Sequence, residues 1–361
     1  FIYNIKFKIM IQQLTNEAIE LLKKLISKQS FSGEENETAL LIMQWFSSHN
    51  IKFESNKHNV WAKNKHFDAS KKTILLNSHH DTVKPNKNYT KNPLTPEIID
   101  GKLYGLGSND AGGCLVSLLA TFTYFYNKSN LNYNFVIVAS AEEESSGPNG
   151  LNSMLKIIPE INFAIIGEPT LMQLAIAEKG LLVLDCEAKG TSGHAAHGIG
   201  DNAIYNAIED IHWFQNFEFP KVSEMLGKVK MTVTQINAGN QHNVIPANCK
   251  YVVDVRVTDA YSNFEVLKII QANVKSEVVA RSLRLNSSSI PKKHPIVKAG
   301  IKLGRETYGS PTLSDQAVLS CPSLKLGPGN SLRSHTADEF IYVNEIEEGI
   351  DLYIKILNEI L

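Results

Sequence analysis

Apolar positions recur at helical spacing early in the chain, where Leu14, Ala18, Leu21, Leu22, Leu25 and Ile26 share one face. Ser32-Gly33-Glu34-Glu35 has the spacing of a capping box and predicts a second helix to about residue 49. Short apolar runs at 73–76, 133–138 and 163–166 then predict strands. Between the first two, residues 112–126 are numerous enough, and rich enough in small side chains, for a buried helix. Strands spaced by helices predict an α/β sheet layered with helices.

From about residue 180 the rhythm changes. The pattern predicts strand 181–188, helix 202–217, strands 229–236 and 250–257, helix 263–280 and strand 282–285. That βαββαβ order is the ferredoxin-like unit. After Pro291 the earlier alternation resumes and ends in an amphipathic helix over 344–361. The expected organisation is one discontinuous α/β domain, 1–178 with 292–361, interrupted by a small domain over 179–291.

Composition narrows the function. The chain has 361 residues, 43% hydrophobic and 20% charged, and 36 Lys plus Arg oppose 37 Asp plus Glu. A formal net charge of -1 gives no field to hold a polyanion, so nucleic acid is not an expected partner. Cys114, Cys186, Cys249 and Cys321 lie far apart and read as buried free thiols of a reducing cytoplasm. The richest apolar run, 114–126, is interrupted by Ser117, Thr121 and Thr123 and falls short of the roughly 18 residues of a membrane span. Residues 1–11 interleave Lys6 and Lys8 with apolar side chains and lack a cleavage site, so they do not read as a signal peptide. Met10 is a candidate natural start, with 1–9 as an extension.

Five places offer metal ligands at strand ends or glycine-rich turns. In His79-His80-Asp81 an extended backbone puts His79 and Asp81 on one side and turns His80 away. A carboxylate there can orient an imidazole through its second ring nitrogen. Asp110, after Gly105-Leu106-Gly107, alone fits a helix N-cap. It stands where a dinucleotide fingerprint needs its third glycine, and a carboxylate there would repel phosphate. Glu142-Glu143-Glu144 are three adjacent acids in a turn, which either face solvent or divide metal binding and proton transfer between them. Glu168 ends an apolar strand, and His335 lies in the loop after Gly327-Pro328-Gly329. Two histidines and three carboxylates are the set expected of a paired hydrolytic zinc centre.

The ordered series His79-x-Asp81, Asp110, Glu143-Glu144, Gly167-Glu168-Pro169-Thr170, Gly193-His194, Asn243-Val244-Ile245-Pro246 and His335 resembles the M20 family of metallopeptidases and amidohydrolases. The resemblance runs from about residue 14 to the end. It implies a mixed-sheet zinc-peptidase domain with helices on both faces and an inserted ferredoxin-like dimerisation domain. It also implies two zinc ions per chain, with cobalt as a substitute. By that resemblance Asp110 bridges the ions, His79 and Glu168 complete one site, and Glu144 and His335 complete the other. Asp81 supports His79, and Glu143 is the general base. His194 reaches across a dimer interface to the oxyanion, while Asn243 and Arg256 hold the substrate carboxylate, with Arg333 as a third anion contact. For Arg256 an ion pair with Asp254 or Asp259 is an equal alternative. The lysine that often follows the bridging aspartate is missing from Asp110-Ala111-Gly112-Gly113, and the proline near the first motif is displaced to Pro85.

The compact length and the stretch from Gly327 to Glu339 look most like the acetylornithine deacetylase branch. The implied reaction is hydrolysis of an N-acyl amino acid, N-acetylornithine or N-acetylcitrulline, in a homodimer. N-succinyl-diaminopimelate or a dipeptide are the alternative substrates, and a non-catalytic metal-binding relative is the alternative outside the enzymes.

Overall fold

The computed structural model describes the backbone of residues 2–361 and the side chains from Lys8 onward. Phe1, the first residue of the expected extension, lies outside the described residues. The chain divides into two compact units. One comprises residues 2–176, 290–308 and 314–361, and the other residues 177–289 and 309–313.

The sheet of the larger unit is built around four parallel strands. Asn134–Ser140, Thr73–His79, Phe163–Ile166 and Ser323–Lys325 lie side by side in that order. Asn59–Lys63 pairs antiparallel to Asn134–Ser140, and Phe53–Asn56 extends the edge as a hairpin, so the sheet is mixed. The parallel strands are buried on both faces, which explains why they read as continuous apolar runs rather than alternating ones. Trp61, Leu75, Val136, Val138 and Ile166 pack one face against Leu151, Met154 and Ile158. Gly113–Tyr126 lies on the other face, and its Cys114 and Leu118 sit close to Gly167 at a strand end. Ile346, Ile350, Tyr353, Ile354 and Leu357 give the last helix, Val343–Asn358, one buried stripe.

The smaller unit is a four-stranded antiparallel sheet in the order Lys230–Ala238, Asn248–Val257, Gly180–Lys189, Glu277–Ala280. Leu182, Leu184, Cys186 and Ala188 alternate inward and meet Ala203, Ala207 and Phe214 of helix Ala203–Asn216 and Val266 and Ile270 of helix Asn263–Asn273. Burying an aliphatic or aromatic side chain of this size contributes about 1.5–3 kcal/mol.

Three expected features are corrected. The helix expected over 263–280 ends at Asn273, the final strand is Glu277–Ala280, and 282–285 is not a strand. The cause is a long-range contact: the buried Asp210 carboxylate accepts the amides of Lys275 at 3.0 Å and Ser276 at 2.8 Å, holding the backbone that leaves the helix. The capping box at Ser32 does not form either. Helix Asn36–Ser48 has no side-chain cap, and Ser32 Oγ donates instead to Asp81 Oδ2 at 2.7 Å. Among the described residues no helix is long and apolar enough to cross a membrane. All four cysteines are free thiols.

Candidate metal centre

The candidate ligands gather where the parallel strands end, the usual place for a site in an open α/β sheet. Thr73–His79 is longer than its apolar core, so His79 is its last residue, paired in register with Ser140. The acidic turn follows Ser140 directly, Glu168 lies two residues beyond Phe163–Ile166, and His335 lies in the loop after Ser323–Lys325. Asp110 comes from the turn after strand Lys102–Tyr104, where Gly107 takes a left-handed φ of 72° that a side chain would resist.

His79 Nδ1 donates to the Asp81 backbone carbonyl at 3.0 Å, which directs Nε2 toward the acids. Nε2 lies 3.3 Å from Asp110 Oδ1, 3.8 Å from Glu143 Oε2 and 3.9 Å from Glu168 Oε1. His335 Nε2 lies 3.0 and 3.2 Å from the two oxygens of Glu144 and 3.6 Å from Asp110 Oδ2. Asp110 therefore divides its carboxylate, one oxygen toward each histidine. An imidazole nitrogen facing several carboxylates must carry a proton or share a cation with them. Two groups of ligand-type atoms lie within 4.8 Å of one another, His79 with Asp110 and Glu144 and His79 with Glu143 and Glu168. An imidazole among hard carboxylate oxygens suits divalent zinc or cobalt.

The electrostatics match that need. Burial pushes the Glu143 carboxyl well above its ordinary range, with Glu168, Asp315 and Glu144 adding to it. Burial and the neighbouring Asp110 push Glu168 up to about 8. The hydrogen bond to Glu144 raises His335 to about 9. Burial opposes the charged form of His79, but Glu143, Asp110 and Asp81 outweigh it and hold its pKa well above the usual value. Protons stabilise this crowd of acids near neutral pH, and divalent cations would do so more strongly. His80, turned away as expected, bonds Thr38 Oγ1 and the His58 carbonyl, and burial lowers it to about 4.

Buried carboxylates hold the acid-bearing backbone. Asp81 accepts the amides of Glu143 at 3.0 Å and Glu144 at 3.1 Å, and Glu35 accepts that of Glu142 at 3.1 Å. Glu339 accepts the amides of Gly107, Asn109 and Asp110. Asp315, pushed up to about 6 by burial, accepts from Ser140 Oγ at 2.6 Å. Sequence reasoning missed Glu35, Glu339 and Asp315, because each looks like an ordinary polar residue near a helix or strand start. The usable signal was position: Glu339 closes the same stretch that carries His335.

The remaining candidates divide differently. In the smaller unit, Gly193–His194 pairs antiparallel with Val244–Ile245, which brings His194 beside Asn243. His194 Nδ1 accepts the Ala196 amide at 3.1 Å, so its proton sits on Nε2 and that nitrogen is a donor. Arg256 forms the expected alternative ion pair, with Nε and Nη2 on the two Asp254 oxygens at 2.8 and 3.1 Å. Arg333, in the larger unit, is likewise paired with an acid of the chain. Its fork is taken by Glu345 at 2.7 and 3.0 Å, and its guanidinium lies over Phe340 and Tyr342.

Residues 75–359 match Peptidase family M20/M25/M40, and the chain belongs to that family. It is an amide hydrolase with a candidate metal site. Acetylornithine deacetylase of Erwinia tasmaniensis is 28% identical over an alignment covering 94% of this chain and 97% of the relative. Succinyl-diaminopimelate desuccinylase 2 of Ruegeria sp. is 23% identical, covering 95% of each. In fold the chain is similar to a dinuclear metal-binding M20 peptidase of Bacillus subtilis, with a TM-score of 0.72 at 15% identity, covering 96% of this chain and 98% of that one.

Proposed function

We propose that this protein removes the acyl group of N-acetylornithine or N-acetylcitrulline, releasing acetate and the free amino acid in arginine biosynthesis. His79 and Glu168 would hold one zinc ion, Glu144 and His335 a second, and Asp110 both. The metal-centre part of the reading is carried by the divided carboxylate of Asp110, which offers one oxygen to each histidine. The acetyl substrate is supported by the similarity to the Erwinia acetylornithine deacetylase. A divalent cation held by these residues would supply a Lewis acid that polarises an amide carbonyl and lowers the pKa of water to about 7.

Glu143 takes a proton from the attacking water and later returns it to the departing amine nitrogen. Its burial suits a base that must hold a proton near neutral pH. Distance from His79 does not separate Glu143 from Glu168. The roles differ because Glu143 sits in the turn fastened by Asp81, next to Glu144. Asp81 also orients His79 through its backbone carbonyl and Oδ1.

The segment 179–291 would act as a dimerisation domain, through which the partner's copy of His194 donates from Nε2 to the developing oxyanion. Asn243, beside His194, and Arg256 would receive the substrate carboxylate. Arg333 would be a third anion contact; like that of Arg256 on Asp254, its fork is held by an acid of the chain, here Glu345. Four free cysteines fit a reducing cytoplasm.

A desuccinylase is the second reading, supported by the Ruegeria relative. Rates on N-acetylornithine, N-acetylcitrulline, N-succinylornithine, N-succinyl-diaminopimelate and a dipeptide test both. The proposal expects the largest kcat/KM on one of the two acetyl substrates. Preference for either succinyl compound would move the chain to the second reading, and preference for the dipeptide would contradict both.

A further inference from the structure

Glu339 is the least exposed carboxylate of the loop that follows His335, at 2%. Its Oε1 accepts the amides of Asn109 at 2.9 Å and Asp110 at 2.8 Å, and its Oε2 accepts that of Gly107 at 2.9 Å. Its backbone carbonyl accepts the Gly105 amide at 3.0 Å. Three amides converging on one carboxylate make an anion-binding nest, here filled from within the chain. The same two loops are joined a second time. Asn109 Oδ1 accepts the Asn330 amide at 3.0 Å, and its Nδ2 donates to the Asn330 carbonyl at 3.1 Å. Gly329 permits this approach, because a Cβ there would lie 2.5 Å from Asn109 Oδ1.

Asp110 needs such support. Its backbone, at φ -119° and ψ 98°, is not helical although a helix begins three residues later. The Asp110 side chain must also serve two histidines at once, one of which, His335, has a half-exposed side chain and lies four residues before Glu339. We propose that Glu339 is a positioning residue which fixes the Asp110 backbone and couples it to the His335 loop, so that the two oxygens of Asp110 stay divided between two metal sites. This inference rests on the two-metal reading above and adds to it a residue that touches neither metal nor substrate.

The test compares wild type, Glu339→Gln and Glu339→Asp as full-length chains. Glutamine keeps the shape but replaces one acceptor oxygen by an NH₂ that opposes an amide. Aspartate keeps the charge but is one methylene shorter. Zinc affinity at each site, read by competition with a chromophoric chelator, is measured beside circular dichroism, kcat and KM. A folded Glu339→Gln chain is expected to bind one of its two zinc ions about 10–100-fold more weakly. Its kcat should fall by a similar factor with KM within about twofold, and Glu339→Asp should recover part of both. Wild-type zinc affinity and kcat in folded Glu339→Gln would overturn the inference. If Glu339→Gln does not fold, the folded Glu339→Asp chain decides in the same way, with wild-type values at both zinc sites as the overturning result. A wild-type chain that binds no second zinc would instead remove the two-metal reading itself, which separates the two failures.

Discussion

The backbone amide of Glu143 points at Asp81 Oδ1, 3.0 Å away, while Asp81 Oδ2 takes the next amide, that of Glu144, and the Ser32 hydroxyl. One buried carboxylate thus holds the proposed base and a proposed metal ligand in one turn, and lies 3.4 Å from Nδ1 of His79. Asp81→Asn replaces one acceptor with a donor in a site that supplies only donors. Removing such an outer partner of a ligand costs about 10–100-fold in metal affinity or activity. Chelator competition and kcat should both move by that order, and a variant with wild-type metal affinity and kcat would show that Asp81 supports neither.

Glu143→Ala should lower kcat by about 10²–10⁴, the range of general acid–base catalysis, without lowering metal content. A His194→Ala chain should be comparably slow if His194 acts across a dimer. Mixing the two variants, with subunit exchange confirmed by mass, should restore part of the activity, because a heterodimer keeps one intact site. Full activity of Glu143→Ala refutes the base, and no rescue on mixing refutes action in trans.

Asp210 holds the segment between helix Asn263–Asn273 and strand Glu277–Ala280 through two amides and the Ser276 hydroxyl. Asp210→Ala leaves the buried amide and hydroxyl of Ser276 unsatisfied, at about 1–3 kcal/mol for each such group. Thermal or urea unfolding should show a loss of at least about 2 kcal/mol. An unchanged midpoint would mean that the strand's pairing alone positions the segment.

His294 accepts the Ile296 amide at 3.4 Å as the cap of helix Pro295–Lys302, and its ring lies 4.7 Å from that of Phe163. Burial, with Lys72 nearby, lowers its pKa below the ordinary 6.5. The unfolded chain therefore takes up a proton at a pH where the folded chain resists it. The contribution of neutral His294 is fully present above pH 6.5 and is lost as pH falls through the depressed folded value. His294→Asn, which keeps a capping oxygen, should lose less stability than wild type between pH 7.5 and about pH 5, measured as Tm. Equal losses would show that His294 titrates alike in both states.

Much of this architecture was legible because it rests on local pattern. The buried parallel strands are apolar throughout, the inward residues of Gly180–Lys189 alternate, and the ligand types stand at strand ends in a fixed order. The edges were harder to read. Strand Glu277–Ala280 was absorbed into a helical pattern because a distant residue, Asp210, ends that helix. Ser32 looked like a cap because local spacing cannot reveal that Asp81 is a better partner. The supporting acids Glu35, Asp315 and Glu339 were invisible for the same reason: their partners, the Glu142 amide, the Ser140 hydroxyl and the Asn109 amide, lie 107, 175 and 230 residues away. The Arg333 pairing was equally hidden, since Glu345 lies twelve residues on and local spacing does not single it out.

The central claim is that Asp110 is shared by two cations. The most direct measurement is the metal content of purified chain after saturation with zinc and removal of excess, by elemental analysis, for wild type and for His335→Ala. Two zinc ions per wild-type chain and one per His335→Ala chain are predicted. Fewer than two per wild-type chain, or no difference between the two proteins, would contradict the account.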